Sequence, residues 1–263
     1  VNARTVTSLS NPTVKAVRAL HLRKEREETG LFVAEGLKNV TEGIETGHAP
    51  QILMYGRDAA DHPVLRKAIQ ATRGARGEVI EVTHDILAKV SRRDNPQAVV
   101  GVFRQVFRRL DELEPESAPC WVALHRVRDP GNLGTIVRTA DAAGCGGVIL
   151  VGECCDPYSV EAVRATMGSI FAVPLVQASE AEFAVWRRRW PGSVVGTLLS
   201  AEVDHRTAEY RKPALVLMGN EQSGLTPDLA ELCDVNVKIP MRGRADSLNL
   251  SVATGIMIYA AAL

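Results

Sequence analysis

The chain has 263 residues, 46% of them hydrophobic and 24% charged, and its 31 Lys+Arg balance 31 Asp+Glu. That composition fits one large globular domain or two small ones and excludes fibrous and intrinsically disordered classes. No apolar run is long enough to cross a bilayer and no basic-then-apolar leader follows Val1, so the expected setting is cytoplasmic. The five cysteines include no Cys-x-x-Cys and no His/Cys cluster at ligand spacing, which argues against a disulfide framework and a metal site.

In chain order, residues 12–29 place Val14, Val17, Leu20 and His21 at helical spacing among charges, and Gly30 stops the helix. Short apolar runs at 31–34, 51–55, 78–82 and 98–103 predict strands, with helices from Glu35-Gly36 toward Thr46, over 62–73 and over 84–90. Residues 107–119 are polar and acidic with two prolines, and form the candidate linker. Beyond them the spacing predicts strands at 120–125, 147–151, 172–176, 194–198, 214–218 and 235–239. Helices are predicted at 131–143, 157–170, 180–189, 226–232 and 247–262. Residues 1–110 carry 18 Lys+Arg against 12 Asp+Glu, the remainder 13 against 19, so a basic half precedes an acidic one. The expected domains are 1–106, the linker 107–119, and 120–263.

Three glycine-containing segments of the second half carry chemistry. In Arg128-Asp-Pro-Gly-Asn-Leu-Gly-Thr-Ile-Val-Arg138, Asn132 lies at a turn after a strand and Arg138 follows on the helix; capping and a solvated charge are the alternatives. In Leu215-Val-Leu-Met-Gly-Asn-Glu-Gln-Ser-Gly-Leu225 an apolar strand runs into Gly219, whose bare backbone admits a ligand, and Glu221 is a functional or helix-capping carboxylate. In the third, a strand ends at Pro240, a loop with Arg242 and Arg244 follows, and Ser247 is placed to cap a helix apolar almost all round, in whose first turn Asn249 and Ser251 need partners.

Asp-Pro-x-Asn-Leu-Gly with Arg six residues after the Asn, Gly-x-Glu-x-x-Gly-Leu, and Ile-Pro-Met-x-Gly followed by Ser-Leu-Asn-x-Ser stand in the order and spacing of the three SpoU methyltransferase motifs. By them the second half, from Trp121 on, is identified as resembling that family. The first half resembles the family's small α/β RNA-binding domain, on Asn11-Pro12, Phe32-x-x-Glu35-Gly36 and Asn95-Pro96-Gln97. The resemblance implies an α/β catalytic domain with a mainly parallel sheet and a deep carboxyl-terminal trefoil knot, preceded by a smaller α/β substrate-binding domain. It implies S-adenosylmethionine held by Thr197, Leu198, Gly219, Ile239 and Leu248, a homodimer, and Asn132, Arg138, Glu221, Ser247 and Asn249 as active-site residues. The implied reaction is methylation of a ribose 2′-hydroxyl in RNA, ribosomal in preference to transfer RNA. A non-catalytic RNA-binding or assembly protein is the alternative from another class.

Within that resemblance Arg138 has the family role of base. A guanidinium is not readily deprotonated, so phosphate binding and alkoxide stabilisation suit it better. Asn132 and Asn249 would orient the ribose or Arg138, Glu221 would position Arg138 or accept the proton, and Ser247 would cap the loop or touch the target nucleotide. His125-Arg126-Val127-Arg128 stands where the family often has acidic residues and favours contact with a nucleic-acid backbone, the alternative being that His125 simply ends a strand and has no catalytic role. Arg187-Arg188-Arg189 reads as a helix end with Trp186 and Trp190 packed inward, an RNA-stacking patch being the alternative. Arg23-Lys24 and Arg92-Arg93 are candidate RNA contacts.

Overall fold

The computed structural model describes residues 4–262; Val1 and Leu263, the outer limits of the expected domains, lie outside them. Two units are formed, one from residues up to Gln105 with Asp156–Ala172, the other from Val106–Cys155 with Val173 onward. The first contains β1 (Arg4–Val6), α1 (Pro12–Ala19), α2 (Arg23–Thr29), β2 (Leu31–Glu35), α3 (Leu37–Glu45), β3 (Ile52–Gly56), α4 (Pro63–Gly74), β4 (Glu78–Val82), α5 (His84–Ser91) and β5 (Val99–Arg104). Its sheet runs β1-β4-β3-β5-β2, with β5 antiparallel to both β3 and β2 and the other pairs parallel. Val14, Val17, Val33, Met54, Ile80, Ile86 and Val90 meet in its core.

The helix predicted over 12–29 is two helices. Asn11 accepts from the N–H groups of Thr13 (2.9 Å) and Val14 (3.4 Å) to start α1 at Pro12. The chain then tightens into three-residue turns at Leu20–Leu22, because Leu20 is buried and His21 Nε2 bonds the Val90 carbonyl at 2.6 Å. Those tertiary contacts outweigh the helical spacing. Gly30, in the left-handed conformation at φ 65°, ends α2 as expected.

The second unit contains β6 (Cys120–His125), α6 (Pro130–Ala142) and β7 (Val148–Val151). After an excursion into the first unit it resumes with β8 (Leu175–Ala178), α8 (Glu180–Arg187), β9 (Val194–Thr197), β10 (Val203–Asp204), β11 (Ala214–Met218), α9 (Pro227–Glu231), β12 (Val235–Lys238) and α10 (Leu250–Ala262). Its seven-stranded sheet runs β10-β12-β9-β11-β6-β7-β8, and every pair is parallel. The central strands are buried on both faces, which explains their unbroken apolar runs. Residues 107–119, expected as the linker, place Leu110 and Leu113 against this unit's core, and the Pro115 carbonyl accepts from Trp121 Nε1 at 3.0 Å.

The excursion holds α7 (Val160–Thr166), a single short helix where 157–170 was expected. Met167 and Gly168 turn left-handed after it, at φ 53° and 106°, and a further tight turn precedes β8, whose expected start at Ala172 is delayed to Leu175. Inside the first unit, Arg26 meets Asp156 at 2.7 Å. Arg164 donates to both Glu35 oxygens (3.2 and 2.6 Å) and to the Ser91 carbonyl (2.8 Å). Phe32 packs on Tyr158 and Phe171. Breaking such a buried pair by removing one partner costs about 3–5 kcal/mol.

Candidate active site at the carboxyl edge of the parallel sheet

The strand order reverses beside β6: the chain proceeds to β7 and β8 on one side, then crosses to β9 and β11 on the other. Ligands of parallel α/β sheets bind at the carboxyl ends of strands at such a switch. A cleft of about 700 Å³ opens there, walled by the segments that follow β9, β11 and β12 and by the start of α10. Thr197, Leu198, Gly219, Ile239 and Leu248 all line it, as do Asn132, Glu221, Ser247 and Asn249.

Gly219 follows β11 directly. A Cβ there would stand 2.0 Å from the Gly224 carbonyl carbon and 2.1 Å from the Leu225 nitrogen, so only glycine lets the 219–225 loop close. Asn220 holds that loop: its N–H and carbonyl pair with Gly224, and its Oδ1 accepts from Gln222 N–H at 2.8 Å. Its Nδ2 donates to the Arg126 carbonyl at 2.7 Å. Arg126 is left-handed at φ 49°, which aims that carbonyl across to the loop. Sequence reasoning passed over Asn220; the signal was an Asn between Gly and Glu, a side chain suited to folding back on its own loop.

The loop presents Glu221 to the start of α6. Its carboxylate accepts from the N–H groups of Arg128 (3.4 and 3.3 Å) and Asp129 (3.2 Å) and from Asn132 Nδ2 (3.5 Å). Asn132 Oδ1 accepts in turn from Asn249 Nδ2 at 2.9 Å. Asn249 Oδ1 receives the N–H groups of Ser251 (2.9 Å) and Val252 (3.4 Å) and the Ser251 hydroxyl (2.6 Å). One polar chain therefore runs from the first turn of α10 through Asn249 and Asn132 to Glu221. The cap of α6 is Asp129, whose carboxylate accepts from Asn132 N–H at 2.6 Å, so the Asn132 side chain is released for the site.

Some expectations are corrected and others are kept. Ser247 does not cap the last helix: it is exposed, its hydroxyl reaches only Asp246 at 3.4 Å, and Asn249 takes the cap because the helix starts three residues later. That helix is not buried all round, since Leu248 ahead of it and Val252 and Tyr259 on it are 37%, 52% and 45% exposed. Glu221 is not a helix cap. Arg138 lies on the exposed face of α6, outside the cleft lining, and makes no hydrogen bond or ion pair among the described residues. His125 is buried at the end of β6 and bonds Glu180 at 2.8 Å, in keeping with the reading that it simply ends the strand; Arg126 pairs with the same carboxylate at 2.8 Å. Those interactions, the His125 bond first, hold the Glu180 carboxyl below the usual range. Trp190 is buried and Trp186 packs on the core, as the inward reading held.

The lining suits a small molecule with an apolar ring system and polar ends. Met218, Leu225 and Leu250 offer apolar walls, the glycine loop offers backbone groups, and the Thr197 hydroxyl is buried without a partner beneath the cleft. Buried hydroxyls are normally paired, so this one has hydrogen-bonding capacity that no described residue takes up. Among the described residues no cluster of metal-ligating side chains occurs, and no helix is long and apolar enough to cross a membrane.

Comparison with known proteins agrees with this geometry. Residues 119–259 match the SpoU rRNA methylase family, and residues 11–101 match the MRM3-like substrate binding domain. The chain is 32% identical to a 23S rRNA (uridine(2479)-2′-O)-methyltransferase of Streptomyces viridochromogenes, over 98% of this chain and 92% of that protein. It is 30% identical to the 23S rRNA (guanosine(2553)-2′-O)-methyltransferase RlmP of Bacillus subtilis, over 97% of each. A crystal structure of AdoMet-bound rRNA methyltransferase from Sinorhizobium meliloti superimposes with a TM-score of 0.92 at 49% identity, covering 98% of this chain and 97% of that one. The chain belongs to the SpoU rRNA methylase family.

Proposed function

We propose that the protein transfers a methyl group from S-adenosylmethionine to a ribose 2′-hydroxyl of large-subunit ribosomal RNA. The observation that carries this reading is the Asn249–Asn132–Glu221 chain on the rim of a cleft lined by all five expected cofactor residues. The two curated relatives act on a uridine and a guanosine of 23S rRNA, so their names share the ribose position and the RNA, not the base.

S-adenosylmethionine supplies an already activated methyl group, which leaves the protein to place the hydroxyl and manage one proton. Gly219, Leu198 and Ile239 would hold the cofactor largely through backbone groups, and Thr197 would offer its free hydroxyl. Asn132 and Asn249 fix each other's amides and would orient the ribose. Glu221 is already engaged by two backbone N–H groups, so it sets the pose of Asn132 and offers a carboxylate to the departing proton. The threading of the carboxyl-terminal segment as a trefoil knot belongs to this reading; the packing of α10 against α6, β6 and β11 supports it.

Arg138 requires a second protomer. It is off its own cleft, on α6, and α6 packs beside α10, whose Val252 and Tyr259 leave an uncovered apolar stripe. A homodimer through this face buries the stripe and carries each Arg138 toward its partner, where the guanidinium binds a phosphate beside the target and stabilises the developing alkoxide.

Co-expressed mixed dimers test this: Arg138→Ala and Asn132→Ala chains, each impaired alone, recover activity well above either one when mixed if the site is shared. A mixture no more active than the average of the two variants would confine each site to one chain. S-adenosylmethionine-dependent methylation of unmodified 23S rRNA tests the reading itself, and absence of transfer would refute it.

A further inference from the structure

Residues with no part in the cleft form a second charged feature in the first unit. The outer faces of α1 and α5 enclose a cleft of about 530 Å³ lined by Lys15, Arg18, Lys89, Arg92 and Arg93, with Asp94 as the one carboxylate. All five cations are exposed, and none makes an ion pair or side-chain hydrogen bond among the described residues. Elsewhere in the unit several exposed cations are neutralised locally. Arg23 pairs with Glu27 at 2.7 Å, Lys24 with Glu28 at 3.7 Å, Arg4 with Glu78 and Arg66 with Asp61. Of the two dipeptides that stand out in the sequence as RNA contacts, Arg23-Lys24 is self-paired while Arg92-Arg93 joins three further free cations.

Favourable interaction of cations with helix carboxyl ends accounts for Arg18 and Lys89, which lie in the last turns of α1 and α5. It does not account for Lys15, nor for the conformation of Arg92. Arg92 ends α5 left-handed at φ 54°, a position where glycine or asparagine is the easy choice, and the N–H of Arg93 returns to the Ala88 carbonyl at 3.1 Å. An arginine pair thus stands at a turn that disfavours bulky side chains, and the turn fixes where both leave the backbone. Beneath the cleft, Val14, Val17, Ile86 and Val90 are buried in the core, so the two helices present their cations from a rigid base.

We infer that this cleft between α1 and α5 docks the sugar-phosphate backbone of RNA, in register with no base, and so supplies substrate affinity apart from the methyl-transfer site. The inference rests on RNA being the substrate. A concave surface with five unpaired cations matches closely spaced phosphates, and their neutralisation releases counterions, so the contribution must fall as salt rises.

The test compares two full-length triple variants of equal charge loss. Lys15→Ala/Arg18→Ala/Lys89→Ala removes three of the five cleft cations, and Arg57→Ala/Lys67→Ala/Arg104→Ala removes three exposed cations outside it. Binding to unmodified 23S rRNA and to a generic RNA duplex is measured over a salt series, alongside KM, kcat and calorimetric S-adenosylmethionine binding. The cleft variant is expected to lose roughly tenfold or more in affinity for both RNAs and about two to three units of salt slope. Its KM rises by the same factor, while kcat and cofactor affinity hold, and Lys15→Arg/Lys89→Arg restores binding. The control variant changes little. Equal losses in the two variants would reduce the effect to net charge and overturn the proposal, as would unchanged binding. If 23S rRNA is not methylated at all, the functional reading fails, and the duplex arm still decides whether the cleft binds RNA.

Discussion

Two sets of polar groups, one in each unit, are held in opposite ways. In the first, Arg26 is 4% and Glu35 5% exposed, and their partners Asp156 and Arg164 complete short ion pairs at 2.7 and 2.6 Å. In the second, Glu221, Asn249 and Arg138 are exposed, Glu221 is held only by bonds of 3.2–3.5 Å, and Arg138 by none among the described residues. Charges that serve the fold are desolvated and fully paired, because an unpaired buried charge is prohibitive. The groups to which the proposed function gives the reaction are left underpaired, which keeps their remaining hydrogen-bonding capacity for substrate.

This contrast predicts that substitutions in the two regions fail in different observables. The largest effect is expected from Arg138→Ala: kcat falls by about 10²–10³, the range for loss of one charge-stabilising donor, with no change in melting temperature. A large drop in melting temperature would make Arg138 a structural residue. Next, Arg164→Ala should destabilise the fold by about 3 kcal/mol, since it strands the buried Glu35. Its kcat, measured below the melting transition, should remain that of the wild type. Denaturant unfolding and single-turnover methylation read the two sides separately.

Asn132→Ala is expected to lower kcat by about one to two orders of magnitude at a stability cost near 1 kcal/mol, because only partly exposed hydrogen bonds are lost. A cost like that of Arg164→Ala would abolish the distinction between the regions. The smallest effect belongs to Glu180, whose carboxyl is held low by His125 and then Arg126. A folded-state value below the unfolded one stabilises the protein above the usual glutamate range, and that contribution is lost as pH falls through the folded value. The stability difference between wild type and Glu180→Gln should therefore shrink below about pH 4. With Glu180 partly exposed, the difference at neutral pH stays below about 1 kcal/mol. A difference independent of pH would remove the charge from the explanation.

Much of the candidate site's placement was legible because its constraints are local. Gly219 and Gly224 stand where a loop must fold back on itself, and Asn132 and Glu221 follow strand ends, so each is visible within a dozen residues of chain. What stayed hidden depends on distance. Ser247 and Asn249 are equally good caps by type; the choice is made by the Asn249–Asn132 bond, which spans 117 positions. The break in the helix over 12–29 is made by Val90, 69 positions from His21, and Arg26, one more charge on a polar helix, finds Asp156 130 positions away. The exposed stripe of α10 was unreadable for a different reason: an all-apolar helix looks the same whether its last face is covered by its own chain or by another.

The central claim is ribose methylation by the Asn132–Glu221–Asn249 cleft with Arg138, and alkaline hydrolysis tests it most directly. A 2′-O-methyl group removes the nucleophile that cleaves the adjacent phosphodiester. Unmodified 23S rRNA treated with the protein and S-adenosylmethionine is therefore predicted to gain an alkali-resistant linkage, which Arg138→Ala fails to produce although it still binds the cofactor. Methyl label incorporated with every linkage still alkali-labile would place the methyl on a base and contradict the account.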